Sequence, residues 1–303
     1  MDAITLEVMR NRFFAITEEM GAALIRTAYS TNIKDRRDCS CALFDVNGET
    51  IAQAEHIPVH SGVLPWGVKG ALKHINKKPG DAIMHNDPFI GGTHLPDIII
   101  FSPIFFKGEL VAFVGNLAHH VDVGGKVPGS LTPDATEIFH EGICFPPVKI
   151  KKEGKVDPEI FAMFRSNIRT KYESSGDLMA QIAANNVGEK RFEELCDEMG
   201  VEVVLEAIAE LENYCDRRMG AELEKLPKGT FEFEDFLEGD GITTTEPLKI
   251  KVTITTGGPH IKIDFTGTCP QVRGPLNCVR PMALACIYYV VRAVTDPTIP
   301  PNS

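Results

Sequence analysis

The sequence predicts an α+β fold: antiparallel hairpins and sheets packed with helices, with a metal site at the open end of one hairpin. Three observations predict it. An Asn-Gly turn separates two alternating runs near residue 47, a second pair of strand-like runs spans residues 97–119, and apolar residues at helical spacing fill residues 3–28 and 157–225.

Residues 3–28 carry apolar side chains at Ile4, Val8, Ile16, Met20, Ala23 and Leu24, with Asp2 as the candidate N-cap. The first hairpin sets Ser40 to Asp45 against Thr50 to Ala54 around Val46-Asn47-Gly48-Glu49. Within it, Cys39-Ser40-Cys41 alternates, so the two thiols share one sheet face. A helix around 62–76 ends before Pro79-Gly80, and Asp81 to His85 reads as a short strand entering a glycine-rich segment. The second hairpin pairs Asp97 to Phe106 with Leu110 to His119. With Lys107 and Gly108 as the loop, Asp97 opposes Ala118 and Pro96 opposes His119; a three-residue loop moves the pairing by one.

From about residue 157 the pattern is helical. Ser174-Ser175-Gly176-Asp177 precedes a run to Gly200, and a second helix extends from Val201 to about Lys225, ended by Pro227 and Gly229. Leu248 to Ile254 and His260 to Phe265 alternate apolar and charged residues across Gly257-Gly258-Pro259, as in a half-covered antiparallel sheet. An apolar helix covers 279–295. These elements divide the chain into an α+β metal-binding region (1–156), a helical region (157–228) and a β-hairpin with a C-terminal helix (229–303). The closing residues Ile299-Pro300-Pro301-Asn302-Ser303 add no element, and the expectation is that a continuation or a partner chain completes this last region.

Composition narrows the function. A chain of 303 residues, 43% hydrophobic and 24% charged, buries a sizeable core. A net charge of -11 and a pI near 5.3 argue against nucleic acid as partner. The basic runs Lys149-Ile150-Lys151-Lys152 and Arg217-Arg218 read as solvated faces. No window approaches the roughly 20 apolar residues of a membrane span, and no basic segment precedes an apolar one at the N-terminus, so a cytoplasmic location is expected. The eight cysteines lack paired spacing and read as reduced, mostly buried thiols.

The chemistry concentrates in two segments. His85-Asn86-Asp87-Pro88-Phe89-Ile90-Gly91-Gly92-Thr93-His94-Leu95-Pro96-Asp97 precedes the second hairpin, and Leu117-Ala118-His119-His120-Val121-Asp122-Val123-Gly124-Gly125 ends it. Every register leaves His94, Asp97 and one of His119 or His120 at the open end, within reach of one ion, because opposed Cβ atoms lie roughly 5 Å apart. Strand neighbours point to opposite faces, so the register decides which histidine serves. Two imidazoles and a carboxylate suit Zn, Mn or Fe and leave positions for water or substrate. Glu141, in His140-Glu141-Gly142, is a candidate proton carrier. Arg36 and Arg37, in Asp35-Arg36-Arg37-Asp38, are candidate anion clamps. Asp122-Val123-Gly124-Gly125 matches the phosphate-binding Asp-x-Gly-Gly of sugar-kinase-like ATPases only weakly, because Lys126 follows where a Thr is expected. No P-loop and no G-x-G-x-x-G is present.

Several further segments carry a family resemblance. Thr5-Leu6-Glu7-Val8, Ala22 to Ser30, Arg36-Arg37-Asp38-Cys39-Ser40, Ala54-Glu55-His56-Ile57-Pro58-Val59-His60, Asn86 to Asp97, His119 to Gly125, Gly176-Asp177-Leu178-Met179-Ala180-Gln181 and Asp264-Phe265-Thr266-Gly267-Thr268 together resemble the hydantoinase B family. That family includes N-methylhydantoinase B, the C-terminal half of 5-oxoprolinase and subunits of acetone and acetophenone carboxylases. The resemblance implies His94, Asp97 and His119 as metal ligands, with His120 their neighbour. It also implies a hydantoinase A-type ATPase partner that binds ATP in place of this chain and phosphorylates the substrate. The leading expectation is the metal-bearing subunit of an ATP-dependent cyclic amide hydrolase acting on a hydantoin, 5-oxoproline or another lactam. The alternatives are a ketone carboxylase subunit of acetone or acetophenone type, and a non-catalytic scaffold with a structural metal.

Overall fold

The computed structural model describes residues 1–243 and 246–300. The expectation about Pro301, Asn302 and Ser303 lies outside the described residues. Helix α1 (Ala3–Thr27) starts where Asp2 accepts hydrogen bonds from the Ile4 and Thr5 amides at 3.0 Å. The short α2 (Thr31–Lys34) leads into β1 (Cys39–Phe44) and β2 (Thr50–Glu55). A 3-10 turn at Pro58–Ser61 precedes α3 (Val63–Leu72), β3 (Ala82–His85), β4 (Asp97–Phe106) and β5 (Glu109–His119). After a long loop come β6 (Val148–Lys152), β7 (Lys155–Val156), α4 (Pro158–Asn167), α5 (Lys171–Met199) and α6 (Val201–Leu223). The chain continues with β8 (Gly229–Leu237), β9 (Leu248–Thr256), β10 (Ile261–Asp264) and α7 (Arg280–Val294).

Seven antiparallel strands form the main sheet in the order β2-β1-β5-β4-β3-β6-β7, and β10-β9-β8 form a second sheet. The main sheet is covered on both sides, which is why its central strands are buried at nearly every position. On one face Cys41, Leu43, Val114 and Ala118 pack against α1, α5 and α6. On the other, Phe44, Ile99, Phe113 and Leu117 pack against Val63, Leu64 and Val68 of α3. Burying that apolar area is the dominant stabilisation of the fold. The α+β reading of the sequence is thereby met.

The structure corrects several details. The β4–β5 loop has the two residues expected, Lys107 and Gly108 at φ 50 and 91, a left-handed pair that suits a tight hairpin. The pairing nevertheless shifts, because Phe105 pairs Leu110 while Ile104 pairs Ala112, leaving Val111 as a bulge. Asp97 therefore opposes His119, not Ala118. Helix α5 starts three residues before Ser174, so Gly176 and Asp177 are inside it. Strands β6, β7 and β8 have no counterpart in the sequence reading. In β6 the basic run is solvated only at Lys152: Lys149 meets Asp81 at 2.7 Å, and Lys151, 7% exposed, bonds Asn186 at 2.7 Å.

Candidate metal centre

The bulge and the sheet's alternation build the site. Asp97 and His119 are directly opposed, so their side chains share the α3 face of the sheet. His94 joins them from the loop before β4, where its carbonyl accepts the Asp97 amide at 3.1 Å. His94 Nε2 lies 3.1 Å from Asp97 Oδ2, and His119 Nδ1 lies 3.2 Å from Asp97 Oδ1. One ligand atom from each residue falls within 4.8 Å of the others. Thr93 Oγ1 also donates to Asp97 Oδ2. Loop residues that hold His94 are fixed by Asn86, whose amide donates to the Leu95 and Ile143 carbonyls at 2.7 and 2.9 Å.

Two further residues surround this cluster. Asp38, just before β1, accepts the His119 amide on its carbonyl at 3.0 Å. Its carboxylate lies 3.6 Å from His60 Nε2, and His60 Nδ1 bonds Ser40 Oγ at 2.9 Å. Neither Asp38 nor His60 stands out in the sequence as a site residue. The available signals were the position of Asp38 in Asp35-Arg36-Arg37-Asp38 and of His60 in Ala54 to His60.

The electrostatics suit a cation. Asp97 is 4% exposed. Burial pushes its carboxyl up, but hydrogen bonds from His119 and His94 and the nearby His94 and His60 charges outweigh that and hold it well below the usual range. Burial alone would lower His94, yet its bond to Asp97 and the charges of Asp97, Asp38 and Glu141 raise it. His60 stays below its ordinary value because burial outweighs Asp97 and Asp38. Imidazoles are the ion-pair partners of Asp97 among the described residues, with no Lys or Arg. A buried carboxylate flanked by two imidazoles is a donor set that fits a divalent ion.

The remaining candidates fall at different distances. Glu141 follows a 3-10 turn at Ile138–His140 and interacts electrostatically with His94; burial raises its carboxyl, and His94 partly offsets this. Arg36 and Arg37 are exposed in the turn before Asp38, outside the His-Asp-His cluster. His120 turns to the opposite face, fully buried, with Nε2 2.9 Å from Gln181 Oε1 and its ring 5.7 Å from Phe164. Asp122 has a structural role: it accepts the Gly124, Gly129 and Arg169 amides and pairs with the Arg169 guanidinium at 2.9 Å. Among the described residues no helix is long and apolar enough to cross a membrane.

The profile of the family described as hydantoinase B/oxoprolinase matches residues 2–303. An uncharacterized protein of Methanocaldococcus jannaschii is 41% identical over 307 residues, covering 100% of this chain and 54% of that protein. 5-Oxoprolinase 1 of Arabidopsis thaliana is 35% identical, covering 99% of this chain and 26% of its own length. The crystal structure of ATP-dependent caprolactamase from Pseudomonas jessenii superposes with a TM-score of 0.90 at 33% identity, over 100% of this chain and 52% of that one. The chain thus spans about half the length, or less, of these relatives. The match across the whole sequence, together with the shared fold, shows that this chain belongs to the hydantoinase B/oxoprolinase family.

Proposed function

We propose that this chain is the metal-bearing part of an ATP-dependent cyclic amide hydrolase that opens a lactam, hydantoin or 5-oxoproline ring. The observation that carries the reading is the convergence of the half-buried His94 and His119 on the buried carboxylate of Asp97. The names of its relatives, a 5-oxoprolinase and an ATP-dependent caprolactamase, support the reaction class. ATP is assigned to a partner subunit of hydantoinase A type, which would phosphorylate the substrate's amide oxygen. That assignment is supported by the lack of a P-loop in this sequence.

His94, Asp97 and His119 would hold a divalent ion, Zn, Mn or Fe. When bound, such an ion supplies Lewis-acid polarisation and makes water more acidic. Asp97 pairs with both imidazoles, and its charge would offset that of a bound ion. Glu141, with its carboxyl raised by burial, accepts a proton from water and returns it to the departing ring nitrogen. Arg36 and Arg37 are assigned to the phosphoryl group of the activated substrate, where a guanidinium gives two parallel hydrogen bonds.

The test is reconstitution with the ATPase partner, followed by metal analysis and turnover on hydantoin, 5-oxoproline and caprolactam with ATP. Ring opening without bicarbonate is expected. Product formation from acetone that requires bicarbonate would replace this reading with the ketone carboxylase. Intact turnover in a His94→Ala complex that has lost its metal would make the ion structural.

A further inference from the structure

The Gly176-Asp177-Leu178-Met179-Ala180-Gln181 segment takes no part in the proposed chemistry, although Asp177 and Gln181 are fully buried. Its surroundings give each polar residue a task. Asp177 Oδ1 accepts the Tyr29 and Ser30 amides at 2.7 and 3.1 Å, fixing the chain that leads through α2 to Asp38. One turn later, Gln181 lies beneath the open end of the β4–β5 hairpin. Its Nε2 donates to the Ile98 carbonyl and to Asn116 Oδ1, each at 2.8 Å. Both amide protons are thereby used, so Oε1 accepts from His120 Nε2 at 2.9 Å, and His120 carries its proton on Nε2.

Ile98 is the neighbour of Asp97, and His120 is the neighbour of His119. Gln181 therefore ties together, from the helix face, the residues next to the two ligands that converge on the other face. The pairing at this end needs such a tie. It lies about ten residues from the hairpin turn and beyond the Val111 bulge, and its last rung is the His120 amide on the Pro96 carbonyl at 2.9 Å. Strand ends open most readily where few ladder bonds remain. A small parting or slide of β4 against β5 would separate His119 Nδ1 from Asp97 Oδ1, which now stand 3.2 Å apart.

We infer that Gln181 is a positioning residue for the His94–Asp97–His119 centre, acting through Ile98 and His120 to hold the two ligand strands in register. The inference rests on the metal reading of that centre. Asn185, one turn further along α5, provides the control. It bonds Asn116, the Ile100 carbonyl and Ser102 at 2.8, 3.2 and 3.3 Å, and it is equally buried, but none of these partners is next to His94, Asp97 or His119 in the chain.

The experiment measures the dissociation constant for Zn²⁺ or Mn²⁺ by competition with a chromogenic chelator, alongside the melting temperature of the metal-free chain. Gln181→Leu and Asn185→Leu are expected to lower the metal-free melting temperature comparably. Only Gln181→Leu is expected to weaken metal binding, by about tenfold or more, the range for residues that orient ligands. Gln181→Glu keeps an acceptor for His120 and loses the donors to Ile98 and Asn116, so it gives the same reading if the leucine variant does not fold. Equal affinity in the Gln181 variants and the wild type, or equal weakening in the Asn185 variant, overturns the inference. A wild-type chain that binds neither ion removes the metal reading itself.

Discussion

His85 makes a sharp test of the packing around the centre. It pairs with Ile99 in the sheet and is fully buried, with no side-chain partner for either ring nitrogen among the described residues and only the Gly67 backbone acting on the ring. Burial lowers its pKa from 6.5 to about 4, with Gly67 and Asp87 offsetting only part of that shift. The folded state therefore keeps His85 neutral while the unfolded chain protonates near 6.5. Its contribution is intact above pH 6.5, declines as the pH falls, and is fully lost once the pH passes through 4. A shift of this size amounts to about 2 kcal/mol at pH 5 and about 3 kcal/mol at pH 4. His85→Met removes the titrating group and leaves a side chain that fills an apolar slot. Urea unfolding of both proteins at pH 7 and pH 5 is the assay, and the other titrating groups cancel in the difference. The wild type is expected to lose about 2 kcal/mol more than the variant over that interval. Equal losses, or an NMR titration of His85 near 6.5, would refute the argument.

Gly176→Ala sets helix propensity against space: alanine favours a helix by about 1 kcal/mol, but a Cβ there would lie 2.5 and 2.8 Å from Cγ and Cε2 of Tyr29. Destabilisation of about 1–3 kcal/mol is expected in thermal melts. Arg169→Met leaves Asp122, 2% exposed, without its cation. The cost is about 2 kcal/mol, below that of a fully buried pair because the Arg169 side chain is 42% exposed and screened by water. That difference between variant and wild type is present above pH 3.8 and is lost as the pH falls through the lowered Asp122 value. Metal affinity is expected to fall about tenfold per pH unit once His94 is protonated, because the ion must displace that proton. Since Asp97 raises His94, the fall should begin above pH 6.5 in chelator competition, and a pH-independent affinity would remove His94 from the ligand set.

Local pattern carried much of the fold. Asp2 gave the start of α1, although Ile4 and Val8 of its apolar pattern are exposed; Asn47-Gly48 gave the first hairpin and Lys107-Gly108 the second, because capping and turn formation depend on neighbours in sequence. Strand β8 is marked in the sequence only by Phe231 and Phe233 alternating with Glu232 and Glu234. Strand β6 was hidden because its lysines pair with Asp81 and Asn186, distant residues that make a charged strand compatible with burial.

The sequence by itself determined which side chains gather at the end of one hairpin, since any pairing about Lys107-Gly108 brings His94, Asp97 and a histidine of the 119–120 pair together. Tertiary structure decided which histidine shares the face of Asp97. The Val111 bulge shifts the ladder by one residue, and a one-residue shift in a strand turns every side chain to the other face. It also brought Asp38 and His60 beside the cluster and Gln181 beneath it. Those residues meet only when β1, the 3-10 turn and α5 are packed onto β4 and β5, and contacts between segments far apart in the chain have no periodic signature to read.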